Sequence, residues 1–360
     1  MTKPLERFAR LLLHRSRWLA LGFHSRDLAS SRFTTVFPGY LTPAEDPALV
    51  NAMGWVLQNQ VIPGSVLSHS TAALLLGVPM PLALDDGVDA LRAGAHVGPD
   101  GLERIPSLLP GASLDDGARL PLLHARVERG GTSGVSRGAV VHRMQPGPTV
   151  TRGELTLSAP SEVLREIATM IPLWDLVAAV DGVLGPELKH LGETPATLAA
   201  ALTEVKGLHG TPRALEALRL ARRGVRSPGE TIFRLLLVRA GLPEPAINLP
   251  VLDPLTGRRR EIDLAWEEIG LGLEYDGDGH RLAKGAWRAD EQRRDELASQ
   301  GWTLSRANGG DLFRPTRILL RLRRTLSERG VQVPDETEIR RVVAEVGELG
   351  LTTRIARRQW

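Results

Sequence analysis

The chain has no cysteine. That excludes a disulfide framework, cysteine-based metal sites and a cysteine nucleophile. It also lacks any uninterrupted apolar run of about 18 residues, so no membrane span is expected. The opening "MTKPLERFARLLLHRSRWLALGF" contains a short apolar run, but Arg15 and Arg17 break it. It reads as a basic amphipathic helix rather than a signal peptide, and the expected location is the cytoplasm. No internal repeat is visible. Lysine is scarce: the basic residues are mostly arginine, the better fork for phosphate.

What is present suffices for globular domains. With 360 residues and 42% apolar content, the chain is comfortable for two domains with ordinary cores. The net charge is only +3, but the charge is unevenly placed. Residues 213–239 hold Arg213, Arg219, Arg222, Arg223, Arg226, Arg234 and Arg239 against Glu216 and Glu230. Residues 314–329 hold Arg314, Arg317, Arg321, Arg323, Arg324 and Arg329 against Glu328. A basic C-terminal half suggests a polyanionic partner.

Along the chain, "VLSHSTAALLLGVPMP" (66–81) reads as a short helix with a polar entry and a Gly-Pro exit. Residues 85–118 are rich in Gly, Asp and Pro and read as loops. "LPLLHARVERG" and "GAVVHRMQ" read as strands around the Gly/Ser-rich turn "GGTSGVSRG". "APSEVLREIATMI" is a helix with Ser161 as its N-cap. Texture changes near residues 207–227. "SPGETIFRLLLVRAGL" is a helix capped by Ser227, with Pro228 in its first turn and Gly241 at its end. "AINLPVL", "EIDLAW" and "GLGLEYD" are strands, and "DPLTGRRR" is a turn with a basic tip, Arg258, Arg259 and Arg260. "GAWRADEQRRDELASQG" is a helix, "WTLSRA" a strand and "DLFRPTRILLRLRRTLSE" a helix. The order is α-β-β-β-α-β-α, followed by one more helix and the basic tail "RIARRQW".

Strand alternation then makes a specific statement. In "EIDLAW", Ile262, Leu264 and Trp266 share one face, and Glu261, Asp263 and Ala265 the other. In "LGLEYD", Leu271, Leu273 and Tyr275 share one face, and Gly272, Glu274 and Asp276 the other. The short connector 267–270 makes the strands antiparallel neighbours, so Asp263, Glu274 and Asp276 are expected on one face. Facing like charges destabilise a sheet unless they are solvated or share a hard cation. Oxygen-only ligands suit Mg²⁺ or Mn²⁺. Glu230 is a further candidate. The pattern Ser227-x-x-Glu230 is equally a capping box, and the two roles are compatible.

Residues 227–325 resemble the Vsr-like (very-short-patch-repair-like) endonuclease domains of the PD-(D/E)xK superfamily. The resemblance rests on "SPGET", "EIDLAW", "LEYDGDGH", "WRADEQRRDELASQGW" and the final basic helix. It implies a restriction-endonuclease-like core, catalytic Mg²⁺ or Mn²⁺ held by Glu230, Asp263 and Glu274, and hydrolysis of DNA phosphodiester bonds, in DNA repair or phage defence. Where the superfamily has a Lys two residues after the second strand acid, this chain has Asp276. Vsr-like members carry a downstream His, matched here by His280, with Lys284 about one turn further on. Gln292, Arg293 and Arg294 on the next helix are candidates to steady the site or bind phosphate, against the plainer role of a solvated helix face. Arg317, Arg321 and Arg324 on the last helix of the core are candidate DNA contacts.

Upstream, "LASSRFTTVFPGYLTP", "VLSHSTAALLLGVPMP" and "GAVVHRM" resemble the AbiEi-type antitoxin and regulator architecture. That implies an α+β, winged-helix-like N-terminal region and admits a toxin/antitoxin partner or a homo-oligomer. His69 is a candidate nucleic-acid contact, set against the commoner role of a satisfied helix-entry histidine; His124 and His142 read as structural strand residues. The expected organisation of this mixed α/β chain is a helical module over 1–80, an α+β module over 81–210, the nuclease-like domain over 211–330, and a helix with tail over 331–360. Three functions compete: a metal-dependent endonuclease on duplex or single-stranded DNA, a non-catalytic DNA-binding regulator using the nuclease fold as a clamp, and a protein-interaction module with a solvated acidic hairpin.

Overall fold

The computed structural model describes residues 5–46, 48–81, 96–97, 103–104, 123–128, 138–204, 207–253, 257–276 and 284–352. The chain is mixed α/β. It divides into two compact units: Met1–Gly98, Glu103–Ile171 and Ala196–Leu215 form the first, and Pro99–Leu102, Pro172–Pro195 and Glu216–Trp360 form the second.

In the first unit a three-stranded sheet, order β1-β3-β2, is built from β1 (Leu13–His14), β2 (Phe33–Phe37) and β3 (Tyr40–Pro43). Helices α1 (Arg15–Ala20) and α2 (Ser25–Leu28) lie between β1 and β2 in sequence. Trp18, Phe23, Leu28, Phe33 and Leu41 form the core there, with edge-on ring contacts such as Trp18–Phe33 at 5.0 Å. The indole N–H of Trp18 donates to the Leu41 carbonyl at 2.9 Å, so burial of this ring leaves no polar atom unsatisfied.

Helix α3 (Val50–Val56) precedes a five-stranded sheet of order β8-β7-β4-β10-β9. Its strands are β4 (Val66–Leu67), β7 (Leu123–Glu128), β8 (Ala139–Met144), β9 (Thr149–Arg152) and β10 (Leu155–Ser158); a separate two-stranded pair is β5 (His96–Val97) with β6 (Glu103–Arg104). Two expectations are corrected here. The helix expected over 66–81 is α4 (His69–Leu76), and Val66–Leu67 instead form the central strand. Strands β7 and β8 pair in parallel, Leu123 with Ala139 through Glu128 with Met144. A parallel pair requires a crossover, which a tight turn cannot supply. Gln58 ties this sheet together: its amide donates to the carbonyls of Ser65 (2.7 Å) and Thr156 (2.6 Å) and accepts from the Thr156 N–H (3.2 Å). Helix α5 (Pro160–Ile167) follows β10, and its N-cap is Ala159, not Ser161, which is buried inside the first turn. Pro160 sets the boundary, because the first helical position suits proline.

The second unit contains α6 (Leu173–Val183), and α9 (Pro228–Arg239) packs on it; α7 (Pro195–Glu204) and α8 (Thr211–Leu220) come between them in sequence. The division expected at residue 210 is therefore displaced for α6. The reason is a buried polar knot. Asp181 accepts from the Arg222 N–H (2.6 Å) and the Thr231 hydroxyl (2.8 Å) and pairs with Arg234 (3.3 Å). Arg234 also reaches the Leu220 carbonyl (2.9 Å) and Glu244 (3.1 Å).

The sheet of this unit has the order β11-β12-β13-β14: Ala246–Leu252, Arg259–Trp266, Leu271–Asp276 and Thr303–Asn308. The first two pairings are antiparallel and β13–β14 is parallel, with α10 (Lys284–Ser299) as the crossover. Pro250 lies in β11, an edge strand, where its missing N–H is tolerated. Ser227 accepts from the Glu230 N–H and caps α9, and Gly241 at φ 74° ends it, both as expected. Helices α11 (Gly309–Phe313), α12 (Thr316–Glu328) and α13 (Glu336–Glu348) complete the described chain. No helix among the described residues is long and apolar enough to cross a membrane.

Candidate functional site

The alternation expected for β12 breaks at Asp263. Ile262 belongs to one core cluster with Ala265, Val251 and Leu297, although Ile262 was expected opposite Ala265. A Cβ on Gly272 would lie 2.7 Å from both Ile262 and Leu304, so these residues meet on the face covered by Leu297 of α10. The β12–β13 register runs only from Leu264 to Trp266, and beyond it the Asp263 carboxylate accepts the Tyr275 N–H at 2.8 Å. A side chain has replaced the backbone partner there, which lets the strand turn.

The consequence is that the carboxylates divide. Glu274 is buried and ion-paired with Arg293 of α10 at 2.9 Å, and with Arg306, its register neighbour on β14, at 3.8 Å. Asp263 instead stands in the field of Glu230. Burial, the larger cause, together with the Asp263 charge holds the Glu230 carboxyl above its ordinary range. Burial also raises Asp263, against the Tyr275 hydrogen bond and the charges of Arg293 and Arg226. Both groups thus resist carrying a charge without a compensating cation.

Glu230 is held firmly. It accepts from the Ser227 hydroxyl (2.8 Å), the Arg226 N–H (3.1 Å) and the Asn248 amide (2.9 Å). The capping box expected from Ser227-x-x-Glu230 is only half formed: Ser227 caps the Glu230 N–H, but the Glu230 carboxylate takes the Arg226 N–H and the Ser227 hydroxyl rather than the Ser227 N–H. Asn248 is one of the non-glycine residues with positive φ, 45°, a conformation that asparagine tolerates better than most. Its amide also donates to the Gly224 carbonyl at 2.9 Å. Glu261 is ion-paired with Arg226, and its carbonyl accepts from Arg293. Arg226, Asn248, Arg306 and Tyr275 were not singled out from sequence as site residues. Asn248 alone left a signal, as the lone polar side chain in the run "AINLPVL".

The remaining sequence candidates are scattered or engaged. Asp276 ends β13 opposite Asn308. His280 lies outside the described residues, as does the side chain of Lys284, which opens α10. Arg260 is committed to Glu296 (2.7 and 2.9 Å), and Gln292 also reaches Glu296 (3.0 Å). Arg258 and Arg259 are exposed at the start of β12, and Arg294 is half-buried on α10. On α12, Arg317, Arg321 and Arg324 are exposed; Arg321 donates to the Arg306 carbonyl (2.9 Å) and Arg324 pairs with Glu328 (2.8 Å).

As donors for a hard divalent cation, Glu230 and Asp263 fit in chemical kind, since both offer carboxylate oxygen in a half-dry setting. With Glu274 they do not make a trio whose carboxylate oxygens all lie within 4.8 Å of one another. Among the described residues, the one group of three ligand-type side chains whose atoms lie within 4.8 Å of one another is His69, His124 and His142, in the first unit. The chain matches no protein-family model, no curated protein and no solved structure.

Proposed function

We propose that the second unit binds nucleic acid and hydrolyses its phosphodiester bonds with the help of a divalent cation. The observation that carries this reading is the Glu230–Asp263 pair. A buried carboxylate repelled by a half-buried one costs stability, and the charges of Arg226 and Arg293 act on Asp263. Mg²⁺ or Mn²⁺ on Glu230 and Asp263 would supply Lewis-acid polarisation of the scissile phosphate.

The chain's own residues do the rest. Asn248 and the Arg226 N–H fix the Glu230 carboxylate, and the Tyr275 N–H fixes that of Asp263, so neither donor reorients to bind. Arg293 and Arg306 offer guanidinium forks to phosphate once they leave Glu274, whose carboxylate would then be free to serve as a further oxygen ligand. His280, with Lys284 as the alternative, is assigned the proton transfer at the attacking water. Arg317 and Arg321 on α12 supply backbone contacts.

A second reading has its own support. Glu274 is spent on ion pairs and Asp276 stands where a lysine is expected, which suits a nucleic-acid clamp that does not cut. The test is cleavage of duplex and single-stranded DNA and of RNA, with Mg²⁺, Mn²⁺ or EDTA. Cleavage lost in EDTA and in Asp263→Asn supports hydrolysis. Binding without cleavage under every condition supports the clamp.

A further inference from the structure

We propose that His69, His124 and His142 form a binding site for a borderline transition-metal cation of the zinc type, separate from the carboxylate site of the second unit. One ring comes from the start of α4, one from β7 and one from β8. The ring nitrogens His124 Nδ1 and His142 Nε2 are 2.9 Å apart, and the His69 ring stacks on His142 with centroids 3.7 Å apart. Two imidazole nitrogens at about 2.0–2.1 Å from a tetrahedral cation stand roughly 3.3 Å apart, so the His124 and His142 nitrogens need part by only a few tenths of an ångström, while the His69 ring, stacked within 16° of His142, has to turn out of the stack to bring its lone pair to the ion. His69 and His124 are buried and His142 is half-buried, which leaves an approach on one side.

The surroundings hold the backbone of His69 and His124 in place, and Ser68 holds the His69 ring. His69 has a positive φ of 51°, uncommon outside glycine, although histidine, like asparagine and aspartate, adopts it more readily than most residues. That conformation turns its N–H onto the Glu166 carboxylate at 2.8 Å, while its Nδ1 lies 3.0 Å from the Ser68 hydroxyl. Glu166 in turn accepts from Ser158 (3.0 Å) and lies 3.9 Å from Arg126. The His124 N–H donates to the Thr71 hydroxyl at 2.7 Å. A ring nitrogen held by a neighbouring hydroxyl, as His69 Nδ1 is by Ser68, is the kind of support that orients metal-binding histidines. The nearby charges balance: Arg126 and Arg165 stand against Glu162 and Glu166, which pair with them. Three imidazoles packed without a cation can share only N–H···N bonds, and a cation takes all three lone pairs at once. Softness selects the ion: imidazole suits Zn²⁺, Co²⁺ or Ni²⁺, whereas Mg²⁺ prefers oxygen. Bound there, the ion would clamp α4 to the parallel pair β7–β8.

The full chain, stripped with EDTA and dialysed, is titrated with Co²⁺ as the probe. One equivalent should bind with the intense visible absorption of a low-coordinate nitrogen site, and Zn²⁺ should displace it. The absorption should vanish in His142→Ala and persist in Asp263→Asn. If Co²⁺ produces no such band, or the band is lost in Asp263→Asn and kept in His142→Ala, the proposal falls. Should His142→Ala fail to fold, X-ray absorption on the Zn²⁺-loaded wild-type chain decides: three imidazole scatterers support the site and fewer overturn it.

Discussion

Asp181 is where burial and ion pairing compete most directly, and the outcome can be measured. Burial pushes this carboxyl up to about 6, although Arg234, the Arg222 N–H and Thr231 all favour its charged form. An unfolded aspartate titrates near about 3.9. Between those values the folded chain keeps a proton that the unfolded chain has released. Its contribution to stability is therefore full below about pH 4 and is lost as pH rises through about 6, a total of roughly 3 kcal/mol. Asp181→Asn cannot titrate. Its amide presents an N–H to groups that are themselves donors, which adds a destabilising offset, but one that does not change with pH. The informative quantity is thus the difference between the two proteins as a function of pH. From pH 5 to pH 8 it should move in favour of the variant by roughly 1 kcal/mol, on the order of tenfold in an opening equilibrium. Hydrogen exchange of α6 and α9 peptides, compared between the two proteins at each pH, reads this in the unit concerned. A flat difference would refute the dominance of burial. A shift towards the wild type would show that the Arg234 pair outweighs desolvation.

Other outcomes follow from particular contacts. Glu230→Gln should raise the melting temperature of the metal-free chain at neutral pH and leave it unchanged near pH 4, because burial and Asp263 hold the Glu230 pKa up. Gln58→Ala should destabilise the first unit by about 2–4 kcal/mol, as buried groups at Ser65 and Thr156 lose their partners; denaturant titration checks it. Gly138→Ala should prevent folding of that unit at 37 °C, since φ is 78° and the added Cβ would collide with the Val36 carbonyl; circular dichroism reads the loss. Arg317→Ala with Arg321→Ala should weaken nucleic-acid binding and lower its salt slope by roughly 2.

Much of the second unit was legible because its signals are local. Ser227 and Pro228 mark a helix start, Gly241 a helix end, and apolar runs of strand length mark the sheet, so the α-β-β-β-α-β-α order could be read directly. The carboxylate geometry was not legible. Alternation assumes an unbroken ladder, and Asp263 breaks it by spending its side chain on the Tyr275 N–H. The histidine trio was hidden for another reason. Its members are far apart in sequence and meet only because β7 and β8 run parallel and His69 adopts a positive φ, neither of which a single-residue pattern encodes. The boundary at α6 failed likewise, since Asp181 and Arg234 are 53 residues apart.

Strand β4, two residues at the middle of the five-stranded sheet, imposes an order on synthesis. Its neighbours β7 and β10 are made only after it, and the Gln58 bond to Thr156 spans 98 residues. A chain emerging from the ribosome cannot complete this sheet until Ser158 is clear of the exit. Until then the faces that α4 turns to β7 and α5, and that α3 turns to β10, wait uncovered. The first 80 residues should therefore not complete their fold as an isolated fragment, and the nascent chain is a natural client for a holding chaperone throughout that interval.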